Sequence, residues 1–144
     1  MGKSKHNKIK ASVFITCLID QLFPSIGISL VRVLRKTGVE VVFPKNQTCC
    51  GQPLFNSGFR KDAKQLAKHN IKELADSEYI VVPSGSCAAM MKVFYGDLFA
   101  DDDEMRTLAS SLSSKVYELS EFIVKILGVT SIEATYRERV TYHP

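Results

Sequence analysis

The sequence predicts an α/β fold: a Rossmann-like three-layer sandwich with a parallel four-stranded sheet and helices on both faces. Three observations lead there. Short runs rich in β-branched residues, Ala11 to Thr16, Val39 to Phe43 and Tyr79 to Val82, alternate with longer stretches of helical periodicity. Turn signals separate them, with Gly38 before the second run, Pro44 after it and Pro83 after the third. The resulting order, β-α-β-α-β-α-α-α-β, makes right-handed crossovers that bring the C-terminal end of every strand to one edge, where ligands bind in such sheets.

Taken in order, residues 1–10 form a basic lead, expected to be disordered, with Lys3, Lys5, Lys8 and Lys10. Residues 11–144 are long enough for a single domain. Ala11 to Thr16 is the first strand. Pro24 suits the first turn of a helix in which Ile26, Leu30, Val33 and Leu34 keep helical spacing, and Gly38 stops it. Val39 to Phe43 is the second strand. Thr48 to Gly58 reads as a loop, with Gly51, Pro53, Asn56 and Gly58 as turn residues. Phe59 to Ala75 is amphipathic: Ala63, Leu66, Ala67, Ile71 and Leu74 line one face, and five basic residues from Arg60 to Lys72 line the other. Tyr79 to Val82 is the third strand, followed by a tight Ser84-Gly85-Ser86-Cys87 loop and a helix over Ala88 to Phe94. Asp101 to Glu104 precede a helix over Met105 to Ser113, where acidic residues favour the helix dipole and need no cation. Val116 to Leu127 reads as a further helix stopped by Gly128, and Arg139 to Tyr142 as the fourth strand, at which the chain looks cut.

Composition removes several function classes. The net charge of +4 is modest, and no basic stripe interleaved with aromatics follows the lead, so no nucleic-acid partner is expected. No apolar run approaches the roughly 20 residues of a membrane span. Asp20 interrupts the apolar run that would imitate a signal peptide, His6 stands where myristoylation needs Ser or Thr, and Ile15-Thr16 does not suit lipid attachment at Cys17. A cytoplasmic protein is expected. In that compartment four cysteines point to metal ligation or redox chemistry rather than structural disulfides.

Cys17 follows the first strand, Cys49 and Cys50 the second, and Cys87 the third, so a parallel sheet brings all four to one rim. A disulfide within the doublet is disfavoured, because adjacent Cα atoms are about 3.8 Å apart and disulfides need roughly 4.4–6.8 Å. Four thiolates suit structural zinc or an iron–sulfur cluster. The absence of Cys-x-x-Cys knuckles and the presence of the doublet favour the cluster, and Gly51 permits the backbone turn that two adjacent ligands require. A single cysteine would read as a small buried hydrophobe; four at one rim do not. Cys87 also resembles the tip of a nucleophile elbow, but no histidine base accompanies it. His69 falls on the exposed helical face, His6 in the lead and His143 at the end.

Cys17 and Cys49-Cys50-Gly51 are separated by 31 residues, and Cys50 and Cys87 by 36. With Phe14-Ile15-Thr16-Cys17-Leu18, Cys49-Cys50-Gly51-Gln52-Pro53, Asn56-Ser57-Gly58, Pro83-Ser84-Gly85-Ser86-Cys87 and Tyr117-Glu118-Leu119, this pattern resembles the cysteine-rich CCG domain. That domain occurs in heterodisulfide reductases, in the glycolate oxidase iron–sulfur subunit and, most similar here, in the lactate utilisation A group. The resemblance implies a 4Fe-4S-type iron–sulfur cluster on Cys17, Cys49, Cys50 and Cys87. It implies an electron-transfer subunit of a cytosolic complex that oxidises L-lactate to pyruvate with two partner proteins, an oxidoreductase whose isolated fragment is expected to be inactive and, in air, open to cluster loss. Family members carry two such domains, so residues 11–144 would be the N-terminal half and Tyr142-His143-Pro144 the opening of the second. Homo-oligomers are compatible with this reading. Alternatives are a structural or zinc-binding docking domain, thiol–disulfide chemistry, and a component for oxidising glycolate or another 2-hydroxy acid. The family's Cys-x-x-Cys becomes Cys87-Ala88-Ala89-Met90, which offers a neutral thioether where a fourth thiolate would stand.

Overall fold

The computed structural model describes residues 8–141. Residues 1–7 of the basic lead and the terminal Tyr142-His143-Pro144 lie outside the described residues. Ile9 already packs against the core, and Lys10 opens the first strand.

Four strands, β1 (Lys10–Val13), β2 (Glu40–Val42), β3 (Tyr79–Val82) and β4 (Val116–Glu118), form one parallel sheet in the order β2-β1-β3-β4. Ala11 pairs with Val41 and Tyr79, and Ile80 with Val116. The helices are α1 (Cys17–Leu22), α2 (Pro24–Lys36), α3 (Gln52–Asn56), α4 (Arg60–Glu73), α5 (Gly85–Ala89), α6 (Tyr95–Leu98), α7 (Asp103–Ser113) and α8 (Leu119–Glu121). A π-helical segment, Met90–Phe94, joins α5 to α6 without a break, and a second, Phe122–Ile126, extends α8.

Strand side chains alternate between the two faces of the sheet, and each face has its own core. Ile80, Val82 and Phe14 pack with Ala63, Ala67 and Ile71 of α4, with Leu74 just after it, and with Met90, Tyr95, Phe99 and Leu112. Ala11, Val13 and Val81 pack with Leu30 and Leu34 of α2 and with Phe122. Helices therefore cover both faces of the parallel sheet, the three-layer sandwich the sequence predicts. Among the described residues no helix is long and apolar enough to cross a membrane.

The fourth strand is not where the pattern put it. The sequence pattern predicts helix throughout Val116 to Leu127, but Val116–Glu118 is β4, and the helix starts only at Leu119. The free edge of β3 decides this: its backbone groups need partners, Lys115 C=O accepts from Ile80 N–H at 2.8 Å, and the β-formers Val116 and Tyr117 continue the ladder. Residues 139–141, expected to be strand, carry no strand pairing, and Val140 is exposed. Boundaries also shift: β1 and β2 are shorter at their C-terminal ends than expected, and α7 begins at Asp103 rather than Met105. The expected loop after the cysteine doublet contains α3, and the helix expected from Ala88 begins at Gly85.

Candidate functional site

Each of the first three strands ends in a loop that delivers cysteine to the same rim. After β1, the Thr16 side chain caps α1 by accepting from Ile19 N–H at 3.4 Å, which sets Cys17 at the start of the helix. After β2, Gln47 ties the strand ends together. Its Oε1 accepts from Ile15 N–H at 2.7 Å, and its Nε2 donates to Val13 C=O at 3.2 Å and Pro44 C=O at 2.8 Å. The Cys49-Cys50 doublet follows, and the chain then reverses at Gly51, whose φ of 86° is left-handed, as glycine permits. After β3, Gly85 opens α5 with Cys87 in its first turn.

The four thiols meet as two pairs. Cys17 Sγ lies 3.5 Å from Cys49 Sγ, and Cys50 Sγ donates to Cys87 Sγ at 3.2 Å. All four are free thiols; Cys17 and Cys49 are half-buried, and Cys50 and Cys87 are buried. The pairs adjoin through the Cys49–Cys50 peptide. Two buried side chains contact that stretch. Asn70 Nδ2 donates to Cys49 C=O at 2.9 Å, and the Tyr95 hydroxyl donates to Cys50 C=O at 3.0 Å.

The protons in this cluster are unevenly held. The hydrogen bond from Cys50 stabilises the Cys87 thiolate and outweighs burial, with help from the Ser84 and Ser86 hydroxyls, so Cys87 is lowered from 9.0 to about 7. Cys50 moves far upward, because it supplies that hydrogen bond and is buried, although Gln52 N–H favours its thiolate. Burial and then the contact with Cys49 also push Cys17 up. Burial raises the Tyr95 phenol, which stays protonated and so remains a donor.

The donor set consists of thiols and fits a soft, thiolate-binding centre, zinc or iron–sulfur. As two pairs, the thiols do not yet converge on a point: among the described residues no three His, Cys, Asp or Glu side chains are grouped to hold a single metal ion. A multi-atom cluster, whose ligands bind different metal atoms, tolerates that spread better than a single zinc ion does. Met90 is fully buried in the core cluster that includes Cys50 and Cys87. His69 is engaged elsewhere, its Nε2 2.6 Å from Asn46 C=O.

Cys17, Cys49, Cys50 and Cys87 thus come together at one rim, as their positions after the strands suggest. Sequence reasoning passed over Gln47, Asn70 and Tyr95. Asn70 did leave a signal, since it is a polar residue within the Ala63, Ala67, Ile71, Leu74 stripe and is fully buried. Tyr95 left none.

Comparison with known proteins agrees with the cysteine pattern. The family model for the cysteine-rich CCG domain matches residues 11–92, which include all four cysteines. "Lactate utilization protein A" of Shouchella clausii (strain KSM-K16) is 50% identical over 135 residues, covering 94% of this chain and 56% of that protein. "Lactate utilization protein A 1" of Bacillus anthracis (strain CDC 684 / NRRL 3495) and "Lactate utilization protein A 2" of Bacillus cereus (strain AH820) are each 47% identical with the same coverage. The chain spans a little over half the length of these curated relatives.

Proposed function

This chain belongs to the cysteine-rich CCG domain family, and from that premise we propose that it is the iron–sulfur electron-transfer part of a cytoplasmic L-lactate-oxidising complex. The observation that carries the reading is the pairwise meeting of the four thiols at one rim. Cys17, Cys49, Cys50 and Cys87 would hold a cluster of the 4Fe-4S type, with electrons from the oxidation of L-lactate to pyruvate passing to partner subunits. When bound, such a cluster supplies reversible one-electron acceptance at a potential set by its surroundings. The chain's own residues prepare for it. Cys87 is half ionised near neutral pH, and the backbone N–H groups of Leu18 and Gln52 favour thiolate at Cys17 and Cys50. Gln47 holds the ends of β1 and β2 in one place, so that the loops bearing Cys17 and Cys49 share a frame.

Anaerobic reconstitution with iron and sulfide tests this, on the full-length protein and on this chain together. A brown chromophore with matching iron and acid-labile sulfide is expected, as is loss of lactate-dependent growth on Cys49→Ser in the full-length protein. A colourless protein holding stoichiometric zinc would overturn the reading in favour of a structural role. The 3.2 and 3.5 Å sulfur contacts favour a second reading, thiol–disulfide chemistry at the same pairs. It predicts reversible loss of two thiols per pair on oxidation by a small-molecule disulfide, with no metal bound.

A further inference from the structure

Adjacent side chains on extended backbone already point apart, and which partner each cysteine of the doublet meets depends on how the peptide planes beside Cys50 are turned. Two fully buried residues hold them. Asn70, on α4, donates from Nδ2 to Cys49 C=O at 2.9 Å and to the Tyr95 oxygen at 3.3 Å, and its Oδ1 accepts from Thr48 N–H at 3.0 Å and the Thr48 hydroxyl at 3.2 Å. Tyr95 in turn donates to Cys50 C=O at 3.0 Å. The donors run one way, from Thr48 to Asn70 to Tyr95 to the doublet. Because the Asn70 amide already donates to the phenol oxygen, the phenol proton is directed to the Cys50 carbonyl. With both carbonyls anchored, the trans geometry turns the Cys50 and Gly51 N–H groups away from the anchors. Tyr95 is itself placed by the π-helical segment, whose closing bond runs from Tyr95 N–H to Met90 C=O. Such single-turn segments inside α-helices are frequent at functional sites.

We propose that Asn70 and Tyr95 are positioning residues for the thiol site: by anchoring the Cys49 and Cys50 carbonyls they assign Cys49 to Cys17 and Cys50 to Cys87. That the same arrangement readies the sulfurs for a cluster rests on the function proposed above.

The test uses the reduced, metal-free chain and dibromobimane, which fluoresces on bridging two neighbouring thiols. Peptide mass spectrometry then identifies which pairs are bridged. The wild type is expected to bridge Cys17 with Cys49 and Cys50 with Cys87. Tyr95→Phe keeps the ring, and Asn70→Leu keeps the approximate volume. In each, bridging is expected to slow about tenfold, since reaction between held groups is steeply sensitive to misplacement, and crossed pairs are expected to appear. Phe122→Leu, a change in the separate core on the other face of the sheet, is expected to keep wild-type bridging. Native pairs formed at the wild-type rate in folded Tyr95→Phe would overturn the proposal, and so would slowing in Phe122→Leu as large as in Tyr95→Phe. Bridging does not depend on a cluster, so the two ideas separate. If neither the full-length protein nor this chain takes up iron anaerobically while Tyr95→Phe loses its pairing, positioning stands and the iron–sulfur reading falls. A Tyr95→Phe chain that keeps native bridging and takes up iron with an unaltered EPR signature does the reverse.

Discussion

Replacing Cys50 by alanine should silence the reactive thiolate at Cys87. The Cys50 S–H donates across 3.2 Å to the Cys87 sulfur, and this bond is the largest influence bringing Cys87 to about 7 from its ordinary 9.0. At pH 7 that leaves about half of Cys87 ionised, against about one thiol in a hundred at the ordinary value. Without the donor, burial is opposed only by the Ser84 and Ser86 hydroxyls, so the ionisation is expected to climb toward 9.0 and the thiolate fraction at pH 7 to fall about tenfold or more. Cys50→Ser retains a hydroxyl donor and is expected to keep most of the effect. The assay is a pH titration of thiolate ultraviolet absorbance on the reduced, metal-free chain, with Cys87→Ser identifying the low-pH phase by its loss. A Cys50→Ala chain that still ionises a thiol near pH 7 would refute the reasoning and assign the shift to the serines or to the helix start.

Stability of the metal-free chain should follow the same groups. Cys87 is lowered in the fold, so its contribution is present above pH 9 and is lost as pH falls through about 7; Cys17 and Cys50 are raised, so theirs is whole below pH 9 and is lost above it. Urea midpoints under reducing conditions should therefore rise from pH 7 toward 9 and fall beyond; a flat profile would show that the thiols titrate alike folded and unfolded. Gly51→Ala should cost about 1–2 kcal/mol from its left-handed φ of 86°, because an added Cβ meets Ala63 only at ordinary contact distances of 3.5–3.6 Å. Urea denaturation would read that cost. On α2, Leu34→Ala should cost about 2–5 kcal/mol because Leu34 is fully buried, whereas Ile26→Ala, at 46% exposure, should stay within about 0.5 kcal/mol in the same measurement.

Much of the fold was legible because its elements have local causes. The runs at β1, β2 and β3, the helices α2, α4 and α7, and the turns at Gly38 and Pro83 all carry their periodicity or their breaker within a few residues. β4 was not legible. Val116 and Tyr117 sit at the head of a stretch with helical spacing, and only the open edge of β3 recruits them as strand. Ile26 shows the converse: it keeps the spacing of Leu30 and Leu34 yet lies outside the contact that buries them. The end of the expected helix after Cys87 was hidden as well, since a π-helical turn has no pattern of its own, and it is this turn that leads to Tyr95.

What the sequence by itself determined was the address of the cysteines. Each stands just after a strand, and parallel crossovers return every strand end to one rim, so connectivity alone brings Cys17, Cys49, Cys50 and Cys87 together. The tertiary structure decided how they meet. Cys17 faces Cys49 from 32 residues away and Cys50 faces Cys87 from 37, and in our proposal that choice depends on the orientation of the two peptides flanking Cys50, beside the reversal at Gly51 and under hydrogen bonds from Asn70 and Tyr95. Those anchors come from helices far along the chain and act through backbone carbonyls, which every residue has, so no residue type in the doublet could announce them.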